Sequence, residues 1–153
     1  MPRLDPDKIM TESGSDELGS FHAALLSDTG GLTQFGAFIE TLSAGSKSSR
    51  PHWHRSEDEL IYMLSGSVVL IESDIQTTLT TGDTATFKAG SEIGHCLMNV
   101  SAIDARYLVI GTRSGDDVVT YTDNGDTVTI KNGTQTYRDV SSTVTKTAPY
   151  HGA

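Results

Sequence analysis

The sequence predicts an all-β domain, a barrel or sandwich of short strands. Three observations carry that expectation. Apolar and polar residues alternate in short runs, turn-forming Gly, Asn and Asp recur roughly every eight to twelve residues, and no stretch keeps the 3.6-residue period of a helix. At 153 residues the chain is one ordinary domain, large enough for a single core and too small for a second full one.

The elements follow in order. Residues 1–20 are polar and Gly/Ser-rich, which predicts an N-terminal arm. The barrel proper is expected over residues 21–115. Phe21-His-Ala-Ala-Leu-Leu26 reads as a first strand, with His22 in a structural or surface role. After the Gly30-Gly31 turn, Thr33 to Leu42 reads as a strand that delivers the chain to the loop ending at Pro51. His52-Trp-His54 forms the next strand, and the charged connection Arg55 to Asp58 predicts a hairpin that folds Glu59 back beside the imidazoles. Val68 to Ile71 and Ile75 to Thr81, joined by Ser73-Asp74, predict a second hairpin; His95 to Asn99 and Ala102 to Gly111 add two strands. Residues 116–153 alternate with turns at Asp123-Asn-Gly-Asp126 and Asn132-Gly133. Because Asn-Gly favours a type I′ hairpin turn, they predict a β-meander packed on the barrel.

One constellation carries chemistry. His52 and His54 stand two apart, Glu59 five further on, and His95 after a Gly-rich interruption. Residues at i and i+2 project from one face of a strand, so the two imidazoles share a face and Trp53 takes the other. Three neutral imidazoles and one carboxylate suit Mn, Fe, Ni, Cu or Zn far better than Ca or Mg, which prefer oxygen shells. Acid should release such an ion as the imidazoles protonate.

The spacing around these residues resembles the cupin superfamily. Its first motif runs G, five or six residues, H-x-H, three or four residues, E, six residues, G, and Gly45, His52, His54, Glu59 and Gly66 fit it. Its second runs G, five residues, P-x-G, a short stretch, H, three residues, N, and Gly82, Gly90, His95 and Asn99 fit it. Lys88 stands where the family usually has proline, and four residues rather than two separate Gly90 from His95. The resemblance covers roughly residues 30 to 112. It implies a double-stranded β-helix, the cupin jelly-roll barrel, holding one divalent transition metal through His52, His54, Glu59 and His95.

Composition narrows the partners. Twenty acidic residues against eleven basic ones give a net charge of −9, and no two basic residues are adjacent, so nothing here would neutralise a row of phosphates on a nucleic acid. No apolar run approaches the length that spans a bilayer, and the N-terminus lacks a signal-like apolar stretch; a cytoplasmic protein is expected. The single cysteine, Cys96, cannot form an internal disulfide and lies opposite in parity to His95, as a small buried hydrophobe. Asp116, Asp117, Asp123 and Asp126 lack the spacing of a calcium loop and read as turn formers. Leu60, Tyr62 and Leu64, Val69 and Ile71, and Tyr107 to Ile110 put apolar groups on both faces of their strands, which predicts a homodimer or cover from the arm or the meander.

The functional expectation is a cupin-type metal protein acting on a small organic molecule, as a dioxygenase, isomerase or lyase. A non-catalytic binding or sensing module and a structural oligomer with a vestigial site are the alternatives. Arg50, sharing parity with His52, is a candidate anchor for a ligand carboxylate, and Ile61, Met63 and Leu97 are candidates for an apolar lining. Beyond the metal ligands no Ser-His-Asp pattern, phosphate loop, dinucleotide fingerprint or second acid–base set stands out in the sequence.

Overall fold

The computed structural model describes residues 2–150; residue 1 and residues 151–153, the ends of the arm and of the meander, lie outside the described residues. The strands are β1 Met10–Asp16, β2 Gly19–Leu25, β3 Phe35–Leu42, β4 His52–His54, β5 Glu59–Ser65, β6 Ser67–Glu72, β7 Ile75–Thr80, β8 Thr84–Phe87, β9 His95–Met98, β10 Ala105–Thr112, β11 Asp116–Tyr121, β12 Thr127–Lys131, β13 Thr134–Arg138 and β14 Val144–Pro149. A 3-10 turn at Pro6–Lys8 and a single helical turn, α1 Leu26–Thr29, complete the described elements. All strand pairs are antiparallel. One sheet has the order β1-β2-β3-β10-β5-β8, the other β14-β13-β12-β11-β4-β9-β6-β7, and the two face each other as a jelly roll.

Three expectations change. The residues expected as an arm include β1, which pairs along its whole length with β2, Met10 opposite Leu25 through Asp16 opposite Gly19. Its side chains are nearly all exposed, so the strand is held by backbone pairing at a sheet edge and leaves no apolar alternation to read. The connection Arg55 to Asp58 is not a hairpin: β4 and β5 belong to different sheets, and the chain crosses the sandwich between them. The C-terminal meander, expected as an extension packed on the barrel, is a continuation of one of its sheets. Val119 pairs with His54 and Tyr121 with His52, so β11 continues the barrel's own sheet directly from the histidine strand.

The core sits between the sheets. Leu42, Ile61, Met63, Ala105 and Tyr107 from one sheet meet Val68, Leu70, Leu79 and Leu97 from the other. Along β5 the burial alternates as parity requires: Ile61 and Met63 point in, while Tyr62 is 42% exposed. A smaller cluster of Val119, Val128 and Ile130 lies under Tyr121, Tyr137 and Tyr150 in the meander. The motif positions that are not ligands tie loops together. Asn99, fully buried, donates through Nδ2 to the carbonyls of Leu42 and Ile103 at 2.9 and 2.8 Å, and its own carbonyl accepts from Gly45 at 2.7 Å. Cys96 is free and buried, as expected.

Gly66, between β5 and β6, has φ +72°, and a Cβ there would lie 2.7 Å from the Asp104 carbonyl oxygen and 3.0 Å from Ala105 Cα. Gly133, in the expected Asn-Gly turn, has φ +74° with open space around it. Gly133→Ala should therefore cost only the left-handed strain of about 1–2 kcal/mol, whereas Gly66→Ala adds a backbone collision and should cost about 2–4 kcal/mol. Urea unfolding of the two variants checks the ordering; equal losses would contradict it.

Candidate metal centre

Four side chains converge between the sheets. β4 supplies His52 and His54, and β9, which pairs with β4 by placing His95 opposite His52, supplies the third imidazole. Glu59, the first residue of β5, reaches across from the facing sheet. One of its carboxylate oxygens lies 3.3 Å from His54 Nε2, and the other accepts from His95 Nε2 at 2.9 Å. The donor atoms of His52, His54 and Glu59 all lie within 4.8 Å of one another. His95 joins through Glu59, its ring stacked on Phe87 at 3.7 Å and 3°. The longer loop after Gly90 does not displace it: Gly90 N–H bonds the His54 carbonyl at 2.8 Å, pinning that loop to the histidine strand.

The imidazoles are aimed from behind. His52 Nδ1 donates to the Arg50 carbonyl at 2.9 Å, and His54 Nδ1 donates to Asp117 Oδ2 at 2.7 Å. With Nδ1 engaged, each ring turns Nε2 inward, the tautomer and orientation that a bound ion requires. The donor set thus fits a divalent transition metal, with His52, His54 and Glu59 as one face and His95 beside them. Burial would discharge these groups were they isolated, and it does lower His52. At His54 burial also opposes charge, but the hydrogen bonds to Asp117 and Glu59 outweigh it and lift the imidazole to about 10. Burial raises Glu59, and its hydrogen bonds from His54 and His95 prevail, holding it well below the usual carboxylate range.

Asp117 corrects an expectation. Read as a turn former, it is fully buried on β11, where Oδ1 accepts from Ser56 N–H at 2.7 Å while Oδ2 holds His54. Glu57 is 2% exposed beside it, within reach of the Tyr150 hydroxyl at 3.3 Å, and burial raises its carboxyl. The other three aspartates behave as surface groups: Asp116 pairs with Arg55, and Asp123 and Asp126 with Arg50.

Arg50, the candidate anchor, is engaged away from the cluster. Its guanidinium makes a bidentate pair with Asp123 at 2.7 and 2.8 Å, lies over the Tyr121 ring, and lines none of the cavities at the cluster. Met63 is sealed in the core rather than lining the site. Ile61 and Leu97 do line an interior cavity of about 150 Å³, together with His52, Glu59 and His95. A second cavity of about 170 Å³ opens past Trp53 and Lys88, and a third of about 230 Å³ lies between the histidines and the meander.

Residues 38–111 match the family model of the cupin domain. The chain carries a cupin domain. Among curated proteins none matches the sequence. Among solved structures the cupin chain is similar to a sugar phosphate isomerase of Silicibacter pomeroyi, at 28% identity and TM-score 0.87 over 95% of this chain and 97% of that one. It is also similar to a candidate sugar phosphate isomerase of Acidithiobacillus ferrooxidans, at 25% identity and TM-score 0.82 over 94% and 96%. Its likeness to a predicted oxalate decarboxylase of Thermotoga maritima, at 21% identity and TM-score 0.61, covers 72% of this chain and 97% of that one and is a likeness of fold.

The sequence reading missed two residues inside this cupin barrel. Glu40 on β3 and Tyr107 on β10 line the same interior cavity as His52, Glu59 and His95, and the Tyr107 hydroxyl donates to Glu40 Oε1 at 2.5 Å. A signal was present. Glu40 is the lone charge in the strand Phe38-Ile-Glu-Thr-Leu42, and it shares parity with Leu42, which is fully buried.

Two substitutions separate ligation from orientation. His54→Ala should abolish stoichiometric metal binding, measured by elemental analysis after dialysis; equal metal in variant and wild type would overturn the ligand assignment. Asp117→Asn keeps the shape but weakens the acceptor for His54 Nδ1. It should lower metal affinity by about 10–100-fold, the usual consequence of losing a hydrogen-bonded carboxylate behind a ligating imidazole, as read by competition with a chromogenic chelator.

Proposed function

We propose that the protein is a metal-dependent isomerase of a small polyhydroxylated carbonyl compound of the sugar class, shifting hydrogen between adjacent carbons. The observation that carries this reading is the donor cluster of three imidazoles and a carboxylate, of which His52, His95 and Glu59 open onto a small cavity with mixed walls. Phe38, Ile61 and Val109 supply apolar surface there, and Ser48, Ser49, Glu40 and Tyr107 supply hydroxyl and carboxyl groups. At about 150 Å³ the cavity is smaller than the ~300–1,000 Å³ of drug-sized ligand sites. A compact ligand rich in hydroxyl groups fits both the size and the polarity.

The comparisons support the reading by their extent. The likenesses to the two sugar phosphate isomerases, one of them a candidate, run over 94–95% of the chain and so take in the meander. The meander adjoins the site, because β11 holds His54 through Asp117, and Tyr121 and Tyr150 border the third cavity, between the histidines and the meander. A divalent ion held by the cluster would polarise a carbonyl or hydroxyl oxygen of the substrate. The chain's own residues do the rest: the two sheets exclude water, and the hydroxyl groups of Ser48 and Ser49 orient the ligand.

Proton NMR tests the proposal directly. Protein loaded in turn with Mn, Fe, Ni, Zn or Cu is incubated in D2O with aldose phosphates, ketose phosphates and the free sugars. Metal-dependent interconversion with deuterium entering at carbon is expected. Tight binding of one of these compounds without exchange or turnover would favour a non-catalytic binding cupin instead.

We also propose a homodimer across the outer face of the six-stranded sheet. Leu60 and Tyr62 of β5 stand in register with Ile110 and Leu108 of β10, an apolar row bordered by a hollow of about 430 Å³ that includes Phe35. A dimer mass by light scattering at micromolar concentration is expected, with Tyr62→Asp shifting it to the monomer; a monomeric wild type would refute the interface.

A further inference from the structure

We infer that Glu40 is the base that moves the proton and that Tyr107 holds its carboxylate in position, a proposal that rests on the isomerase reading. The argument is one of placement. Glu40 sits in a cross-strand row that runs Glu12, Ala23, Glu40, Tyr107, Met63 across four strand pairings of one sheet. Carboxylates are rarely buried without a partner, and an interior strand position of this kind is normally apolar. Glu40 nevertheless stands there half-buried, on the face that carries the fully packed Leu42 and Met63, and its one side-chain partner is the phenol directly opposite on β10.

The partner accounts for only half the group. Tyr107 donates to Oε1, and no hydrogen bond reaches Oε2 among the described residues. That second oxygen is not sealed from solvent, and Glu40 lines the cavity it shares with His52, Glu59 and His95. A structural role would be complete with both oxygens satisfied. A carboxylate fixed by one oxygen and free at the other, on the wall of the cavity that His52, Glu59 and His95 also line, is the arrangement of a general base. Its basicity agrees: burial raises the carboxyl, the Tyr107 hydrogen bond offsets part of that rise, and Glu12 adds like charge.

The step balances without any further reagent. Glu40 Oε2 takes the proton from the carbon that bears the hydroxyl group next to the carbonyl. The C–H electron pair becomes the C=C bond, and the carbonyl π pair moves onto oxygen. Glu40 returns its proton to the former carbonyl carbon as the hydroxyl oxygen gives up its own proton to the other oxygen, and the C=O group reappears on the neighbouring carbon. Substrate and product are isomers, and the base ends as it began. Tyr107 remains protonated throughout, since burial and the adjacent carboxylate hold its hydroxyl well above the ordinary phenol range.

The test uses the full chain loaded with Mn, the same set of aldose and ketose phosphates in D2O, and three readouts: metal content, thermal melting, and rates of exchange at carbon. Glu40→Gln, which keeps an acceptor for the Tyr107 hydroxyl, should retain the metal and lose exchange by about 100-fold or more, the range of general base catalysis. Tyr107→Phe should lower kcat about tenfold with KM unchanged, because it loosens the base without touching the ligand contacts. If Glu40→Gln melts unfolded, the kcat-against-KM split of Tyr107→Phe decides alone. Exchange by metal-loaded Glu40→Gln within threefold of wild type overturns the role of Glu40 and leaves the isomerase reading standing. A wild type that exchanges none of these compounds overturns both.

Discussion

The structure depends on one contact across the sandwich, the Glu59 carboxylate of one sheet meeting the imidazoles of the other. Each of these groups would be costly if buried alone, because leaving water for a low-dielectric interior penalises charge by several kcal/mol (~5 or more for an isolated ion). Glu59 is instead bonded through both oxygens, to His54 and His95, and His54 is bonded in turn to Asp117. The polar cluster is therefore satisfied as a chain of partners, and the apolar residues on its flank, Ile61 and Leu97, exclude water without leaving any member unpaired. The same contact sets the register of the sheets. His95 must lie opposite His52 on β9, and Glu59 must begin β5, for the three donors to meet.

This constraint explains why the chain departs from local rules where it does. The crossing from β4 to β5 takes only Arg55 to Asp58, and it places Glu57 in the interior beneath Tyr150. Asp58 remains outside, where its carboxylate accepts from Ala89 N–H at 2.7 Å. A charged connection read along the sequence is thus split by the fold into one buried and one exposed carboxylate, and the buried one serves the site. The meander is drawn into the same system. Its first strand hydrogen-bonds to the histidine strand and brings Asp117 behind His54, so residues far along the chain finish a site that begins at His52.

What was legible in the sequence follows the distinction between local and long-range determinants. Strand parity placed His52 and His54 on one face, Ile61 and Met63 inward, and the Asn132-Gly133 hairpin at its turn, because each depends only on neighbouring residues. The spacing of glycines carried the barrel, since Gly45 and Asn99 bond each other and Gly90 bonds the histidine strand. Sheet membership was not legible. A short polar connection serves equally as a hairpin or as a crossover, and only the closure of the whole barrel selects between them. Arg50 shows the same limit: it precedes β4, so strand parity with His52 does not govern it, and Asp123, which claims its guanidinium, lies seventy-three residues away.

Glu40 and Tyr107 escaped for a related reason, and the case defines what a single sequence can disclose about an active site. Neither residue belongs to a spaced motif, and each taken alone reads as an ordinary strand residue. Their significance arises from register, which places β3 and β10 side by side with Glu40 opposite Tyr107. Register in turn is specified by the burial of Leu42, Ala105 and Met63 on the same face, since a slip of one residue would turn all of them to solvent. The apolar core is therefore what aligns the acid with the phenol and aims both at the cavity of the donor cluster. A lone carboxylate at an inward position of an otherwise apolar strand is the one local sign of such a group, because burial without purpose would be selected against by its desolvation cost.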